Sequence, residues 1–273
     1  MEIDVVVPIY NAFEVLQECL SSLEEHQSEI NTVVLINDAS TDERIKPYIN
    51  QMANDNEWKV IHQSKNLGFV KTANFGLKMS QNHTILLNSD TIVTKYWVKA
   101  FIKAINNNPR LGTATPWSNN AEICSFPGFL VNHRLPEDLD KLSEILYKQH
   151  QPQYPVLPTA VGFCMLISQK AKQLVGYFDE GHFGHGYGEE NDYSLRVIAN
   201  GLTNILCDNA YVAHIGNQSF ADMDIKPSEE TMQRLLQKHP NYLTMIQEYI
   251  EQDPLSGIRT QIITLLNKEG ITL

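Results

Sequence analysis

The most constraining feature of this sequence is a regular alternation of short apolar runs and amphipathic segments over its first 90 residues. The first run is continuous and β-branched at residues 5–7, as expected of a buried strand, and Pro8 ends it because proline cannot continue a strand ladder. Further apolar runs lie at residues 33–36, 58–61 and 83–87, and the segments between them carry apolar residues at helical spacing. Strands that alternate with helices indicate a parallel sheet covered on both faces, and hence an α/β fold.

The second half of the chain is less regular. A helix at 96–106 and a strand at 111–115 precede a loop at 118–136, and a connection of that length inside a compact domain is usually functional. From residue 226 onward the apolar positions repeat only at helical spacing, which predicts a C-terminal helical appendage. Between these regions the pattern predicts a helix at 136–150, a strand at 159–168, a glycine-rich stretch at 181–188, a helix at 189–199, and two short strands near Ile205 and Tyr211 that end at His214.

Composition narrows the functional classes. The 273 residues are 42% hydrophobic and 19% charged, as in ordinary globular proteins, and the formal net charge of −11 argues against a nucleic-acid surface. The 4 cysteines form no Cys-x-x-Cys pair, so neither a zinc cluster nor a disulfide framework is indicated and a reducing cytoplasm fits best. The N-terminus shows neither a signal peptide nor a membrane helix. We therefore expect a cytoplasmic protein without a nucleic-acid partner.

Polar clusters occur where the predicted strands end or the predicted helices begin. In open α/β sheets, ligands bind at the carboxyl ends of the strands, so side chains at those positions are candidates for a site. The apolar run at 85–87 leads directly into Asn88, Ser89 and Asp90, although an Asn-Ser-Asp triplet is also a common turn composition. The other clusters are Asn37 with Asp38, Glu189 and Glu190 with Asp192, and His214.

Seven motifs follow one another along the chain. They are Val7-Pro8-Ile9-Tyr10-Asn11, Asn37-Asp38-Ala39-Ser40-Thr41-Asp42, Asn66-Leu67-Gly68-Phe69 with Asn74 and Gly76, Leu86-Leu87-Asn88-Ser89-Asp90, Gly176-x-Phe178-Asp179-Glu180, Gly188-Glu189-Glu190-Asn191-Asp192 with Arg196, and His214 with Ser219. In this order they resemble the inverting family 2 glycosyltransferases of the GT-A fold, of the type that builds bacterial surface polysaccharides. The resemblance covers roughly residues 2–220 and is specific for the family but not for the sugar.

The resemblance implies a GT-A architecture, with a Rossmann-like, mostly parallel central sheet flanked by helices. We expect the glycosyltransferase domain to occupy residues 1–222, with a nucleotide-sugar half at 1–115 and an acceptor and catalytic half at 116–222. Residues 223–273 would form the C-terminal helical extension. The apolar stripes of that extension favour packing on the sheet domain or on another subunit over acceptor recognition.

The resemblance also assigns the donor site. Asp90 takes the last position of the family's Asp-x-Asp motif as a metal ligand, whereas Asn88 replaces the first acid and is expected to bond to the ribose. His214 would be the second protein ligand to a divalent metal, with a satisfied, partly buried histidine as the alternative, and an imidazole favours Mn²⁺ over Mg²⁺. Asp38 would accept a hydrogen bond from a pyrimidine N–H, with a turn role as the alternative, and Lys71 would neutralise the diphosphate unless it is only a solvated surface lysine. The expected nucleotide-sugar residues are Pro8, Tyr10, Asn11, Asp38, Asn66, Lys71, Asn74, Asn88, Ser89 and Asp90.

Catalysis is assigned in the same way. Glu190 is expected to be the general base, because an inverting transfer needs a carboxylate that takes the proton of the acceptor hydroxyl. Glu189 is expected to contact donor or acceptor hydroxyls and Asp192 to be mainly structural, and either would be the base if Glu190 is not. A sugar-stacking acceptor site is a further hypothesis, with core packing as the alternative, and its residues are Trp117, Gly162, Tyr187 and Glu189, with Phe126 and His185 in the same pattern.

These assignments predict metal-dependent transfer of a sugar from a UDP- or dTDP-sugar to a glycan acceptor in polysaccharide or glycoconjugate biosynthesis. The sequence leaves open a lipid-linked acceptor, peripheral association with the inner face of the membrane, and a homo-oligomer formed through the C-terminal helices. The alternative is a nucleotide-sugar-binding or scaffold protein that keeps the fold and has lost catalysis. A nucleotidyltransferase or a Rossmann dehydrogenase is disfavoured because residues 10–12, after the first strand, lack the glycine-rich loop that each requires.

Overall fold

The computed structural model describes residues 2–184, 186–216 and 229–271. The strands are β1 (Ile3–Ile9), β2 (Thr32–Asn37), β3 (Lys59–His62), β4 (His83–Leu87), β5 (Thr91–Ile92), β6 (Leu111–Trp117), β7 (Val156–Leu157), β8 (Cys164–Ile167), β9 (Thr203–Tyr211) and β10 (Ala213–His214). The helices are α1 (Phe13–Glu25), α2 (Ile45–Asn56), α3 (Phe69–Met79), α4 (Trp97–Asn107), α5 (Leu139–Lys148), α6 (Gln169–Val175), α7 (Glu180–Phe183), α8 (Glu189–Ala199), α9 (Glu229–Lys238), α10 (Tyr242–Gln252) and α11 (Ser256–Lys268), with a 3-10 turn at Glu122–Cys124.

The central sheet has 8 strands in the order β3-β2-β1-β4-β8-β6-β9-β7, and the expected mostly parallel α/β architecture is confirmed. β3, β2, β1 and β4 run parallel to one another, and β6 runs parallel to β9. β8 lies between these two groups and pairs antiparallel with both β4 and β6. A separate antiparallel pair, β5 with β10, places His214 opposite Thr91. This pair brings the end of the second half of the chain back to the end of β4.

Three predicted strands differ from the observed ones. The strand predicted at 159–168 is regular only over β8, because the N–H groups of Ala160 and Val161 donate to the side chains of Ser194 (3.0 Å) and Thr115 (3.1 Å) instead of to a neighbouring strand. The two short strands predicted near Ile205 and Tyr211 are one strand, β9, followed by the separate β10.

Apolar faces of the helices cover both sides of the sheet. The buried side of α1 carries the predicted residues Val15, Leu16, Cys19, Leu20 and Leu23. On the opposite side, α3 approaches β1 so closely that a Cβ atom at Gly76 would lie 2.3 Å from Cγ1 of Val6. Glycine is therefore required there to let the helix backbone reach the sheet.

The C-terminal helices pack on the sheet domain. Leu235 of α9 belongs to the core on the α3 side, whereas Ile258, Ile262 and Leu266 of α11 belong to the core on the α1 side. The expected boundary at 222/223 lies outside the described residues. Within the described ranges, no helix combines the length and apolar character needed to cross a bilayer.

Candidate active site

A cleft at the carboxyl ends of β1, β2 and β4 contains two adjoining cavities that share Phe69, Asn88 and Asp90. The first cavity is lined by Pro8, Ile9, Tyr10, Asp38, Asn66, Gly68, Phe69, Thr72, Asn88, Ser89 and Asp90. The second is lined by Phe69, Asn88, Asp90, Asn120, Ala121, Glu122, Asn132, Val161, Gly162, Phe163, Tyr187, Glu189, Glu190, His214 and Gly216. Residues from separated motifs therefore meet in one cleft.

Asp38 shapes one wall of the first cavity. Its two carboxylate oxygens accept hydrogen bonds from the N–H groups of Leu67 (2.7 Å) and Gly68 (2.9 Å). Burial raises the pKa of Asp38, and these two N–H donors partly oppose that rise. Each oxygen keeps a second lone pair, so the carboxylate can hold the 66–68 loop and still accept a hydrogen bond from a ligand.

Three expected donor-site residues lie outside both cavities. The Oδ1 atom of Asn11 accepts hydrogen bonds from the N–H groups of Thr41 (2.8 Å) and Asp42 (3.2 Å), so this side chain orders the loop after β2. Lys71 is exposed on the surface of α3, which matches the alternative of a solvated lysine. Asn11 therefore has a role in loop structure, and its contact with the nucleotide stays a prediction.

Asn74 is the third of these residues. Its side chain is buried, and its amide both donates to and accepts from the backbone of Phe178, each at 2.9 Å, while it also donates to Glu180 at 2.8 Å. These bonds use the amide to fasten α3 to the segment before α7. The prediction that Asn74 contacts the nucleotide is therefore wrong.

The structure also contradicts a sugar contact for Trp117. Its side chain is fully buried, its indole N–H donates to the carbonyl oxygen of Asp208 at 3.2 Å, and its ring packs against the buried Phe126. No surface of the ring is left for a sugar, so the core-packing alternative holds for both aromatic residues. His185 and Ser219 lie outside the described residues.

His214 and Asp90 face each other at the junction of the two cavities. The Nδ1 atom of His214 lies 2.7 Å from the carbonyl oxygen of Asn120, so Nδ1 carries a proton and donates it to that carbonyl. This tautomer leaves the Nε2 lone pair directed at Oδ1 of Asp90, 3.5 Å away. The ring also stacks on Phe163, which fixes its plane. A backbone carbonyl behind a histidine is the arrangement that orients metal-ligating imidazoles.

Two oxygen atoms at this junction lack hydrogen-bond partners. They are Oδ1 of Asp90 and Oδ1 of Asn88, both buried, and the 3.5 Å gap between Asp90 and His214 is too long for a good hydrogen bond. Burial alone would lower the pKa of His214, but the Asp90 carboxylate outweighs it and raises that pKa. Buried unpaired oxygens are costly unless a ligand satisfies them, so a carboxylate, an amide oxygen and an imidazole here fit a divalent cation.

Glu189 and Glu190 open α8 in the wall of the second cavity. Gly188 precedes them with a φ of 91°, and acids in the first turn of a helix are favoured by its dipole. Glu190 accepts a hydrogen bond from the N–H of Gly188 at 3.2 Å, whereas Oε2 of the buried Glu189 has no hydrogen-bond partner. Burial raises the pKa of Glu190 to about 7, and burial together with the charge of Glu190 raises the pKa of Glu189 well above its usual value. The pair therefore offers a carboxylate that changes protonation near neutral pH.

Asp192, the third acid of this motif, has a different environment. It is fully buried, and its oxygens lie 2.8 Å from Nε of Arg196, 2.6 Å from Nζ of Lys238 and 2.9 Å from Nε2 of His239. Burial would raise the pKa of Asp192, but the hydrogen bonds from Lys238 and His239 and the charge of Arg196 lower it. Lys238 also lies 2.8 Å from Asp179, so this lysine links Asp179 and Asp192, which flank the glycine-rich stretch at 181–188. The C-terminal extension thus packs against α8 and holds it through Asp192.

The second cavity contains a residue, Glu122, that the sequence did not identify as a candidate. Glu122 lines the second cavity together with the predicted Gly162, Tyr187, Glu189 and Glu190. It lies in a segment with the composition of a loop, and neither periodicity nor spacing relates it to the Glu-Glu motif 67 residues further on. Gly162 lies beside Glu190, because a Cβ atom there would make ordinary van der Waals contact with Cγ of Glu190 at 3.8 Å.

Comparisons with known proteins identify the family of this chain. The model of the family described as glycosyl transferase family 2 matches residues 4–174. Glycosyltransferase GlyG of Streptococcus pneumoniae is 29% identical over 38% of this chain and 35% of its own length. Poly-beta-1,6-N-acetyl-D-glucosamine synthase of Staphylococcus epidermidis is 25% identical over 65% of this chain and 42% of its own length. The matched regions therefore span less than half the length of these curated relatives.

Solved structures share the fold at low sequence identity. A crystal structure of GalNAc-T7 with UDP, GalNAc and Mn²⁺ gives a TM-score of 0.64 at 13% identity, covering 93% of this chain and 54% of that one. S. aureus TarS 1–349 in complex with UDP-GlcNAc gives a TM-score of 0.61 at 18% identity, covering 86% of this chain and 65% of that one. Because the family model matches well over half of the sequence, this chain belongs to glycosyl transferase family 2.

Proposed function

We propose that this chain transfers a sugar from a UDP- or dTDP-sugar to a hydroxyl group of a glycan, with inversion at the anomeric carbon and with a divalent metal. The observation that carries the proposal is the meeting of Asp90, His214 and the Glu189–Glu190 pair in the second cavity, which adjoins a first cavity suited to a nucleotide. GalNAc-T7 with UDP and Mn²⁺, and TarS with UDP-GlcNAc, support the same donor class on the same fold.

The donor end requires compensation of the diphosphate charge. Among the residues that the structure describes, no lysine or arginine lines either cavity, which supports compensation by a bound cation. Asp90 and His214 would hold that metal, with Oδ1 of Asn88 beside them, and the imidazole favours Mn²⁺ over Mg²⁺. When bound, the metal would offset negative charge on the departing diphosphate. Asp38 would read the pyrimidine N–H at the far end of the first cavity.

Glu190 is the proposed general base. The acceptor oxygen attacks the anomeric carbon from the face opposite the diphosphate, its proton passes to the Glu190 carboxylate, and the bond between the anomeric carbon and the diphosphate oxygen breaks. The pKa of about 7 matches this task, because a base whose pKa lies near the working pH is both ionised and able to hold the proton. Glu189, with its unpaired Oε2, would bind a sugar hydroxyl.

The name of one relative, poly-beta-1,6-N-acetyl-D-glucosamine synthase, supports an acceptor in bacterial polysaccharide biosynthesis. A lipid-linked acceptor at the inner membrane face would also suit the loop that carries Asn132 into the second cavity. Leu130 and Val131 beside it are 45% and 50% exposed, which offers an apolar surface next to the acceptor mouth.

The test measures nucleotide release and sugar transfer from UDP-, dTDP- and GDP-sugars with Mn²⁺, Mg²⁺ or EDTA. We expect activity with a pyrimidine donor and metal, and a drop of about 10²–10⁴-fold in kcat for Glu190→Gln with UDP affinity unchanged, because only base catalysis is removed. Glu248→Gln, on the exposed face of α10, is the matched control. Full activity in Glu190→Gln would move the base to Glu189. UDP-sugar binding without turnover would favour the catalytically silent binding protein, and binding of GDP-sugars alone would refute the pyrimidine assignment.

A further inference from the structure

Glu122 occupies a built position in the acceptor end of the cleft. Its backbone has a φ of 48°, a left-handed conformation that is costly for a residue other than glycine. Hydrogen bonds hold this conformation: the N–H of Ser125 donates to the carbonyl of Glu122 (3.1 Å), and the N–H of Ala121 donates to Oγ of Ser125 (3.0 Å). Strain of this kind, maintained in a residue that lines a cavity, points to a role for its side chain.

The electrostatic character of this cavity is one-sided. Glu122, Glu189 and Glu190 line it, and within the described part of the chain its lining holds no lysine or arginine. His214 is turned towards Asp90 and its Nδ1–H is used by the carbonyl of Asn120, so it does not pair with the glutamates.

A second observation indicates that this acidic surface awaits a ligand. Glu189 is only 6% exposed, and its Oε2 atom has no hydrogen-bond partner. A buried carboxylate oxygen without a donor is unfavourable unless a bound molecule supplies one. Sugar hydroxyl groups and protonated amines are donors, whereas carboxylates and phosphates are not.

We propose that Glu122, together with Glu189, is a specificity-determining residue that selects acceptor sugars by charge, favouring a protonated amino sugar over a neutral sugar and rejecting an anionic one. The inference rests on the proposed function, since it assigns the second cavity to the acceptor. An ammonium group can form a charge-assisted hydrogen bond with the Glu122 carboxylate and a further hydrogen bond with the unpaired Oε2 of Glu189, and a charge-assisted bond is stronger than one from a neutral hydroxyl. An acidic acceptor would bring a further negative charge next to Glu122 and the Glu189–Glu190 pair, of which Glu189 is buried.

The charge of Glu122 also affects the pKa of Glu190, the proposed general base. Burial is the largest cause of the raised pKa of Glu190, and the negative charge of Glu122 raises it further. Glu122 itself is exposed to the open cavity, yet desolvation by the surrounding walls raises its pKa too. An anionic acceptor would push the pKa of Glu190 higher still and leave less of the ionised base, so rejection of anions also protects catalysis.

The experiment compares methyl β-D-glucoside with two probes that each differ from it at one ring position: methyl β-D-glucosaminide, with an ammonium group at C2, and methyl β-D-glucuronide, with a carboxylate at C6. Dissociation constants are measured by NMR titration with the full chain saturated with UDP and Mn²⁺, at two salt concentrations. For the wild type we expect the glucosaminide to bind about ten-fold more tightly than the glucoside, and the glucuronide about ten-fold more weakly, because each step changes one charge-assisted contact. In Glu122→Gln both ratios should fall below about three-fold while UDP affinity stays unchanged.

Several results would overturn the inference. They are equal wild-type affinities for the three probes, unchanged ratios in Glu122→Gln, or no binding of any probe to the second cavity. The wild-type ratios decide the question even if Glu122→Gln fails to fold. The readout is binding, so charge ordering without sugar transfer would refute the proposed function alone, and transfer without charge ordering would refute this inference alone.

Discussion

Replacement of Asp192 by asparagine should destabilise the protein, because this carboxylate anchors the C-terminal extension to α8. Asp192 is fully buried and lies 2.6 Å from Lys238, 2.8 Å from Arg196 and 2.9 Å from His239. The asparagine side chain would keep the shape of the aspartate and lose its charge. The perturbation therefore tests the ion pairs without opening a cavity.

The expected loss of unfolding free energy depends on the hydrogen bonds that each cation retains in Asp192→Asn. A hydrogen bond to a charged group contributes about 1.5–3 kcal/mol to stability. The sum over the three cations overestimates the loss in the variant, because two of them keep other partners. Lys238 would still lie 2.8 Å from Asp179, and Arg196 would still donate to two backbone carbonyls. We therefore expect Asp192→Asn to lower the free energy of unfolding by about 3 kcal/mol, the low end of the range for breaking a buried ion pair. The corresponding drop in Tm is about 6–12 °C for a chain of this size.

The assay is urea unfolding at pH 7 monitored by circular dichroism, and the release of UDP from the UDP-sugar is measured in parallel. Glu230→Gln is the matched control, because Glu230 pairs with Arg234 on the exposed side of α9 and should leave the midpoint unchanged. Since the folded pKa of Asp192 is lowered, its stabilisation is present above the unfolded pKa and is lost as the pH falls through the folded one, so wild type and variant should converge in acid. A loss below about 0.5 kcal/mol at pH 7, or a gap that persists in acid, would refute the anchoring role.

Two further predictions concern the base and the core. Because burial raises the pKa of Glu190 to about 7 and a base must be ionised, kcat/KM should rise with pH up to about 7 and then level off, and a flat profile between about pH 5 and 8 would contradict this assignment. Gly76→Ala should lower the free energy of unfolding by about 1–3 kcal/mol, because the new Cβ would lie 2.3 Å from Cγ1 of Val6. Gly257→Ala is the control and should be tolerated, because a Cβ atom there would lie in open space. Equal urea midpoints for the two variants would contradict the close packing at Gly76.

The architecture could be predicted from sequence because its signals are local. Each of the first four strands is a short apolar run, and a parallel sheet gathers the ends of such strands at one edge. Pro8, Asp38 and Asp90 follow those runs directly, so their arrival in one cleft follows from topology. Glu190 and His214 required the ordered motifs as well, since the strand order that brings them to Asp90 is set by contacts distant in sequence.

The errors share one physical origin. An aromatic residue or an amide near a motif can face either the cleft or the core, and only the tertiary packing decides which. Trp117 turned inward at an irregularity between β6 and β9, where the register shifts between Pro116 and Trp117. Asn74 lies on the buried side of α3, where backbone groups of Phe178 satisfy its amide. The antiparallel insertion of β8 was likewise invisible, because a short apolar run carries no sign of its direction.

What separates Glu189 and Asp90 from Asp192 is the pairing of their carboxylate oxygens and not their residue type or their burial. Asp192 and Glu189 are both buried acids on the first turn of α8, yet Asp192 has three cationic partners and a lowered pKa, whereas Glu189 has an unpaired oxygen and a raised pKa. Asp90 resembles Glu189 in having an unpaired buried oxygen. Unpaired buried carboxylates reduce stability, and a fold retains such a cost where a ligand relieves it. The cavity that these unpaired acids share draws attention to Glu122, which the motifs passed over, and the same criterion assigns Asp192 to the scaffold despite its place within the Glu-Glu motif.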